Sequence, residues 1–570
     1  MTSSPVIGIR PAGTRSLLVE LGSLADVTAL HAQLKAHPLP GQADVLAAAT
    51  TVLVRFAGRR ETIAAAARIQ SLDLAHAETP EARTVSIDTV YDGADLAEVA
   101  RLTGLSEEAV VKAHTGSPWL GGFGGFAPGF TYLTGGDPVL NVPRRNSPRT
   151  AVPAGSVALA GEYSAVYPRE SPGGWQLIGR TNAPMWDLNR NDPALIRPGD
   201  KVIFHAVREL ITTTAPAATP NTSGNDSTEG RGGSALEVRS PGLQSLIQDL
   251  GRPGYADLGV SAAGAADVRS ARQANRLVGN PAEAAVIENL FGGLELTANG
   301  DAVLALAGAG IPAAVVSPNG DRDRSAPLNA PFALLDGETL TLGSPFRGIR
   351  SYLAVRGGIA VEPVLGSRST DSMSGIGPAP LTAGVRLPVA AVPAASSDVP
   401  VGVVPVGAPE PSSLPDGTGP GLLGSGNAPA ELRITAGPRQ DWFGADAAAA
   451  LTARTWYTTN ESNRIGVRLA TDPDDAEAHP LHRTRDGELP SEGVVAGSLQ
   501  VPPSGLPVLF LADHPVTGGY PVIAAVVPQD IPVAAQLPPG HPVRFVFVNP
   551  DTLAPLSPDA AAALFPEGTP

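Results

Sequence analysis

Gly124-Gly125-Phe126-Ala127-Pro128-Gly129-Phe130-Thr131-Tyr132-Leu133 is the stretch around which the 570-residue chain is organised. Its glycines and proline punctuate aromatic residues, a pattern that predicts a tight, fixed loop carrying Phe126, Phe130 and Tyr132. Downstream come Pro143-Arg144-Arg145, Pro148-Arg149 and Val152-Pro153-Ala154-Gly155-Ser156-Val157-Ala158-Leu159-Ala160-Gly161. The run closes in Ser171-Pro172-Gly173-Gly174-Trp175-Gln176-Leu177-Ile178-Gly179-Arg180-Thr181. Arginines therefore lie beside loop glycines and short apolar strands, and glycine lets a backbone N–H approach a ligand closely. One reading is a turn-rich barrel wall with surface arginines. The other is an anion or carboxylate pocket, because a guanidinium binds such groups bidentately.

Composition bounds the rest. The chain is long enough for three or four domains with proper cores. Hydrophobic residues make up 43% and charged residues 17%, as in a globular protein. A formal net charge of −15 argues against duplex nucleic acid as a partner, since phosphate contacts need a basic face. No apolar run approaches membrane-spanning length and the N-terminus has no basic region before an apolar core, so a cytoplasmic protein is expected. There is no cysteine, which excludes disulfides, thiolate metal sites and cysteine nucleophiles. Lysine occurs only at Lys35, Lys112 and Lys201, none of them in a P-loop context, and the second half offers no lysine for biotin attachment.

Residues 1–92 read as a small α/β unit. Strands are expected at 16–21 and 51–56, and helices at 26–36 and 61–72. His31, His37 and His76 are scattered singly and read as surface histidines. Residues 94–114 mimic a helix-turn-helix, with Gly104 at the turn and Ser106 as a cap. The would-be recognition helix opens on Glu107-Glu108, the wrong charge for a DNA groove. His114 ends this element just before the aromatic loop. Residues 93–210 then read as a β-barrel, and 211–234 as a flexible linker by composition. A new strand begins at Leu236-Glu237-Val238, opening a unit expected at 235–400, and another barrel is expected at 430–555.

The aromatic loop and the runs after it resemble the B subunit family of 5-oxoprolinase, also called the Kip-inhibitor or allophanate-hydrolase-subunit-1 family. After the linker, Gly242-Leu243-Gln244-Ser245-Leu246-Ile247-Gln248-Asp249-Leu250-Gly251-Arg252-Pro253-Gly254 and Val364-Leu365-Gly366-Ser367-Arg368-Ser369-Thr370-Asp371 resemble the C subunit, the Kip-antagonist or allophanate-hydrolase-subunit-2 family. Ser462-Asn463-Arg464-Ile465-Gly466 and Thr517-Gly518-Gly519-Tyr520-Pro521 extend that second resemblance. The chain thus looks like a natural fusion of B and C. The resemblance implies a mainly β protein with an α+β N-terminal domain and three cyclophilin-like β-barrels in two fused units. An internal repeat points the same way: Pro153-Ala154-Gly155, Gly173-Gly174-Trp175 and Pro198-Gly199 recur in order as Pro502-Pro503-Ser504-Gly505, Gly518-Gly519-Tyr520 and Pro539-Gly540.

There is no Gly-x-Ser-x-Gly elbow, no His-Glu-x-x-His and no dinucleotide-binding unit. His479 and His482 read as surface. What remains are acids and arginines held by glycine loops, among them Asp371, Arg439 and Glu492. The resemblance implies ATP-dependent opening of 5-oxo-L-proline to L-glutamate, with Mg²⁺ and a separate 5-oxoprolinase A subunit. A lactam is a poor electrophile until its carbonyl oxygen is phosphorylated, which calls for arginines around phosphoryl charge and a carboxylate to orient water. Asp249, Asp267 and Asp513 are the expected catalytic acids. Arg145, Arg149, Arg180 and Arg252 are the expected anion ligands, with His114, Phe126, Phe130, Gln500, Thr517 and Tyr520 lining the substrate site; no metal ligand is assigned. The family pattern is broken at Ala263, Val516 and Asn182, the first of which loses a hydroxyl. Two alternatives stand beside this reading: a biotin-dependent carboxyltransferase of the urea or amide type, and a regulator of a sensor histidine kinase.

Overall fold

The computed structural model describes residues 5–74, 82–147, 149–210, 234–391, 428–444, 446–472, 479–485, 487 and 489–565. His76 and the expected linker up to residue 233 lie outside the described residues. None of the described helices is long and apolar enough to cross a membrane.

The N-terminal unit is an antiparallel sheet of β1 (Val6–Pro11), β2 (Ser16–Leu21), β3 (Gln42–Ala47) and β4 (Thr51–Phe56) in the order β1-β2-β4-β3. Helices α1 (Leu24–Ala36) and α2 (Arg59–Gln70) pack on it. Helix α1 starts where the Ser23 side chain accepts the Asp26 N–H, and it buries Val27, Leu30, His31 and Leu34 along one stripe. His31 is therefore not a surface residue. It occupies a core position of the helical period, and burial pushes its imidazole down to about 4.

The first barrel contains β5 (Thr84–Thr89), α3 (Leu96–Thr103), α4 (Glu107–Thr115), β6 (Trp119–Gly124), β7 (Thr131–Thr134), β8 (Arg149–Val152), β9 (Ser156–Ala160), β10 (Tyr163–Val166), β11 (Ser171–Gly173), β12 (Gln176–Arg180) and β13 (Lys201–Ala206). Its wall runs β12-β9-β10-β7-β6-β13-β5, and the backbone pair Val90–Arg180 joins the two edges. Because β5 pairs in parallel with β13, the boundary expected at 92 falls before Thr84. The helix-turn-helix look-alike is α3 and α4, which bury Val99, Ala100 and Val110 in the barrel core.

The middle unit holds β14 (Ala235–Pro241), β15 (Gln244–Gln248), α5 (Val268–Leu277), β16 (Val286–Leu290), β17 (Leu294–Asn299), β18 (Ala302–Gly310), β19 (Ala313–Val316), β20 (Arg324–Ser325), β21 (Pro331–Leu334), β22 (Thr339–Leu342), β23 (Arg347–Val355) and β24 (Arg386–Pro388). These strands form two sheets, β20-β19-β22-β17-β14-β24 and β15-β16-β23-β18-β21. Leu236 and Leu296 from one sheet meet Ile287 and Leu304 from the other in a shared core.

The last unit is a closed barrel, β25-β32-β29-β30-β27-β26-β33. It contains β25 (Ala430–Ala436), α6 (Ala447–Thr452), β26 (Trp456–Thr458), β27 (Gly466–Ala470), β28 (Glu492–Gly493), β29 (Ser498–Gln500), β30 (Val508–Phe510), β31 (Thr517–Gly518), β32 (Val522–Val526) and β33 (Pro542–Phe547). Its strands follow the first barrel one for one. β13 is parallel to β5 and antiparallel to β6, as β33 is to β25 and β26. The Trp119 indole N–H donates to the carbonyl of His114 at the end of α4, and Trp456 does the same to Leu451 in α6.

The repeat read from sequence is in register at Gly173/Gly518 and at Gly199/Gly540, but not at its first mark. Pro153–Gly155 precedes β9, whereas Pro502–Gly505 follows β29. The counterpart of Gly155 is Gly497: their N–H groups donate to Tyr167 O, just after β10, and to Phe510 O, at the end of β30, which are matching positions. With 57 prolines and 64 glycines in the chain, turn residues alone cannot fix a register.

Candidate functional site

The aromatic loop closes the seam between the two fused units. Phe126 holds a left-handed backbone, φ 60°, uncommon for a non-glycine residue. Its N–H donates to Thr517 Oγ1 at 3.1 Å, across the seam. A Cβ on Gly124 would lie 2.2 Å from the Asp257 carbonyl oxygen, so glycine is what allows the two units to approach here. Behind the loop, Phe130 stacks edge-on against Phe126, Tyr132, Tyr167 and Trp175, at centroid separations of 5.1 to 5.6 Å. Phe126 and Phe130 are thus the anchor of the seam.

On the first-barrel side, Asp95 gathers two of the expected anion ligands. Arg145 donates to it at 2.5 Å, and Arg149 donates a fork at 2.8 and 2.9 Å. The Leu177 N–H adds a fourth bond. Burial alone would raise this carboxyl, but Arg149, Leu177 and the arginine charges hold it below its ordinary value. Arg180 stands apart, exposed and paired with Asp92 at 2.9 Å. His114 lies in the core of the first barrel, away from this cluster. It has no exposed surface, and its ring nitrogens meet the Tyr91 hydroxyl at 2.7 Å and the Ser164 hydroxyl at 2.8 Å. Burial takes it down to about 3, so it stays neutral in the barrel core.

On the other side, three expected residues converge on the loop from Ser367 to Gly377. Asp249 accepts four hydrogen bonds, from the hydroxyls of Ser367 and Ser369 and the N–H groups of Gly251 and Arg368, at 2.5 to 2.8 Å. A carboxylate offers about four lone-pair sites, so Asp249 is spent on shaping the loop. Asp513 accepts the N–H and hydroxyl of Ser372 and a fork from Arg464, which also reaches Glu288. Arg252, 2% exposed, donates Nη2 to the Ser369 carbonyl and Nε to Val364. Its Nη1 is buried without a partner. Arg169 of the first barrel reaches the Met373 carbonyl of the same loop, and its Nε is likewise buried without a partner. No carboxylate lies within ion-pair distance of either guanidinium among the described residues, while burial raises the nearby Asp371 carboxyl. A buried guanidinium without a counter-ion is costly, and a phosphoryl or carboxylate oxygen would relieve it.

The remaining expected residues do not join this cluster. Asp267 caps α5, binding Ser270 through its backbone and hydroxyl, and takes the Gln536 amide. The Gln500 amide donates to the backbone carbonyl of Tyr520, whose side chain is exposed. Sequence reasoning missed Asp95 and Arg169. Asp95 reads as the start of a helix, and Pro168-Arg169-Glu170 carries no pattern at all.

Two family models match the chain: Carboxyltransferase domain, subdomain A and B, over residues 258–547, and Carboxyltransferase domain, subdomain C and D, over residues 7–196. The 5-oxoprolinase C subunit of Escherichia coli (strain K12) is 36% identical over 314 residues, covering 55% of this chain and 90% of that protein. The 5-oxoprolinase B subunit of Escherichia coli O157:H7 is 48% identical over 133 residues, 23% of this chain and 61% of that protein. The crystal structure of TTHA0988 superposes with a TM-score of 0.75 at 34% identity, covering 93% of this chain and 99% of that one.

Proposed function

The chain belongs to the carboxyltransferase-domain family, and from that premise we propose that it is the fused B/C component of an ATP-dependent 5-oxoprolinase, working with a separate A subunit. The observation that carries this reading is that halves similar to the B and C subunits meet at a seam where Arg252 and Arg169, one from each, donate to carbonyls of the same loop and each keep one buried N–H without a partner.

In this reading Arg252 holds an anionic oxygen of the reactants, a carboxylate or a phosphoryl group. Asp371, held by Met373, Ser374 and Ser261, is the acid beside it whose raised proton affinity suits proton transfer. Asp249 and Asp513 position the loop that carries it. ATP, when bound, supplies the phosphoryl group that makes the lactam carbonyl electrophilic. Water then adds to that carbon and the ring C–N bond breaks to leave γ-glutamyl phosphate, which a second water hydrolyses to glutamate and phosphate, with ADP as the other product. Among the described residues no group of three or more histidine, aspartate and glutamate side chains could hold a metal, so Mg²⁺ would be carried mainly on the nucleotide phosphates.

The test is phosphate release from ATP with 5-oxoproline, with and without the purified A subunit, followed by glutamate. Release that needs all three components supports the reading, and silence of the complete mixture sinks it. Arg252→Met should cut kcat/KM at least 100-fold, on the order of 3 kcal/mol of lost charge stabilisation. The matched family description favours a second reading, biotin-dependent carboxyl transfer. Carboxylation of urea or a related amide from carboxybiotin would select it.

A further inference from the structure

The two barrels carry one ion pair in equivalent places with the signs exchanged, and each pair is extended by a third charged side chain. In the last barrel Arg439 sits between Glu492, on the β28–β31 ribbon, and Glu20 of the N-terminal sheet. In the first barrel Asp95 sits between Arg149, on the β8–β11 ribbon, and Arg145. The match is positional. Arg149 pairs across its ribbon with Gly173 and Glu492 with Gly518, while the Asp95 and Arg439 N–H groups donate to the equivalent carbonyls of Leu177 and Val522.

The last-barrel row is completed by a fourth member. Arg10 binds Glu20 at 3.0 Å, and both belong to the N-terminal sheet, which lies across the ribbon. That sheet covers the ribbon closely: the Ala49 N–H donates to Ser491 O, and a Cβ on Gly493 would touch Leu53. In the first barrel the row stops at Arg145. Its Nε is buried without a partner, its side chain is 33% exposed, and Asp95 is its only carboxylate partner among the described residues. The neighbouring Glu98 is forked onto Arg101. The ribbon beside Arg145 is open, with Thr150, Ala151 and Pro172 exposed. By the exchanged signs, the missing fourth member is an anion.

We propose that the β8–β11 ribbon of the first barrel is a docking surface for a partner protein that lays an aspartate or glutamate side chain against Arg145. The occupant is a protein because the equivalent ribbon is covered by folded polypeptide, the N-terminal sheet, whose own side chains supply the outer members of the row. Two arginines around one buried aspartate leave a local positive charge on a chain of net charge −15, so an acidic surface is accepted here and repelled by most of the rest. The choice of the 5-oxoprolinase A subunit as the probe rests on the function proposed above.

The experiment measures affinity of the full chain for the purified A subunit, alongside 5-oxoproline turnover by the mixture. Two variants are used: Arg145→Gln, and Thr150→Glu, which places a like charge on an exposed position and keeps the triad. Loss of affinity of at least 10-fold in both, smaller at high salt, is the expected result, whether or not turnover is seen. Wild-type affinity in both variants, or failure of the wild type to bind the probe, overturns the docking proposal. Wild-type affinity together with wild-type turnover in the two variants leaves the enzymatic reading intact and removes only the docking surface. A raised KM for 5-oxoproline in Arg145→Gln, with unchanged affinity for the probe, assigns the site to a small carboxylate instead and also overturns it.

Discussion

The first and last barrels share a wall, a tryptophan cap and a two-stranded ribbon, but their ion triads have opposite polarity. The difference shows what a repeated fold keeps and what it changes. Backbone pairing is kept because every strand in the wall must satisfy its hydrogen bonds. A charge pair needs only to be complementary, so its signs can be exchanged together at no loss. What the signs then select is the neighbour. Arg439 accepts a glutamate from the N-terminal sheet, and the arginines around Asp95 repel a cation from that place.

The sharpest way to break the comparison is Arg439→Leu. It leaves Glu492 buried at 2% exposed and without its counter-ion, and it severs the link to Glu20. We expect a loss of about 3–5 kcal/mol in chemical unfolding. A loss under 1 kcal/mol would mean that the triad does not couple the units.

The pH dependence should differ in sign between the barrels. Burial first, and then the charge of Glu20, push the Glu492 carboxyl up to about 7 against the pull of Arg439. The unfolded chain releases this proton near the ordinary value of 4.5, so the folded state alone holds it between there and 7. The contribution of Glu492 is thus fully present below the unfolded value and declines as pH rises towards 7, by about 3 kcal/mol at most. Asp95 is held below its ordinary value, so its contribution is present at neutral pH and is lost as pH falls into the acid range. Glu492→Gln should flatten the first slope and Asp95→Asn the second, as read from unfolding midpoints across pH. Identical slopes in both variants and the wild type would contradict the assignment.

A smaller effect separates the turn glycines. Gly155 and Gly497 both have positive φ, but a Cβ would lie 2.1 Å from Thr181 O in the first barrel and 2.8 Å from Val526 O in the last. Gly155→Ala should cost roughly 2–3 kcal/mol and Gly497→Ala about 1 kcal/mol less, from left-handed strain plus overpacking. A reversed order in thermal unfolding would place the register correspondence in doubt.

The stretch from Gly124 to Leu133 was legible as a fixed aromatic loop because turn chemistry is written in consecutive residues. The strands at Ser16–Leu21 and Thr51–Phe56 were legible for the same reason, through a local apolar pattern. His31 was misjudged as a surface residue, since a lone histidine carries no sign of whether its ring points to water or to the core. Asp249 was legible as an important acid but not as one saturated by four donors, two of them hydroxyls on a loop more than a hundred residues away.

By itself the sequence determined the two fused units, the mainly β class and the family they resemble, because glycine turns and apolar periods act over a few residues. Only the tertiary structure decided the register of the repeat, the polarity of each triad and the company of each arginine. The physical reason is range. Arg439 and Glu20 are 419 residues apart, and a charge pair of that separation exists only once the fold has brought its members together.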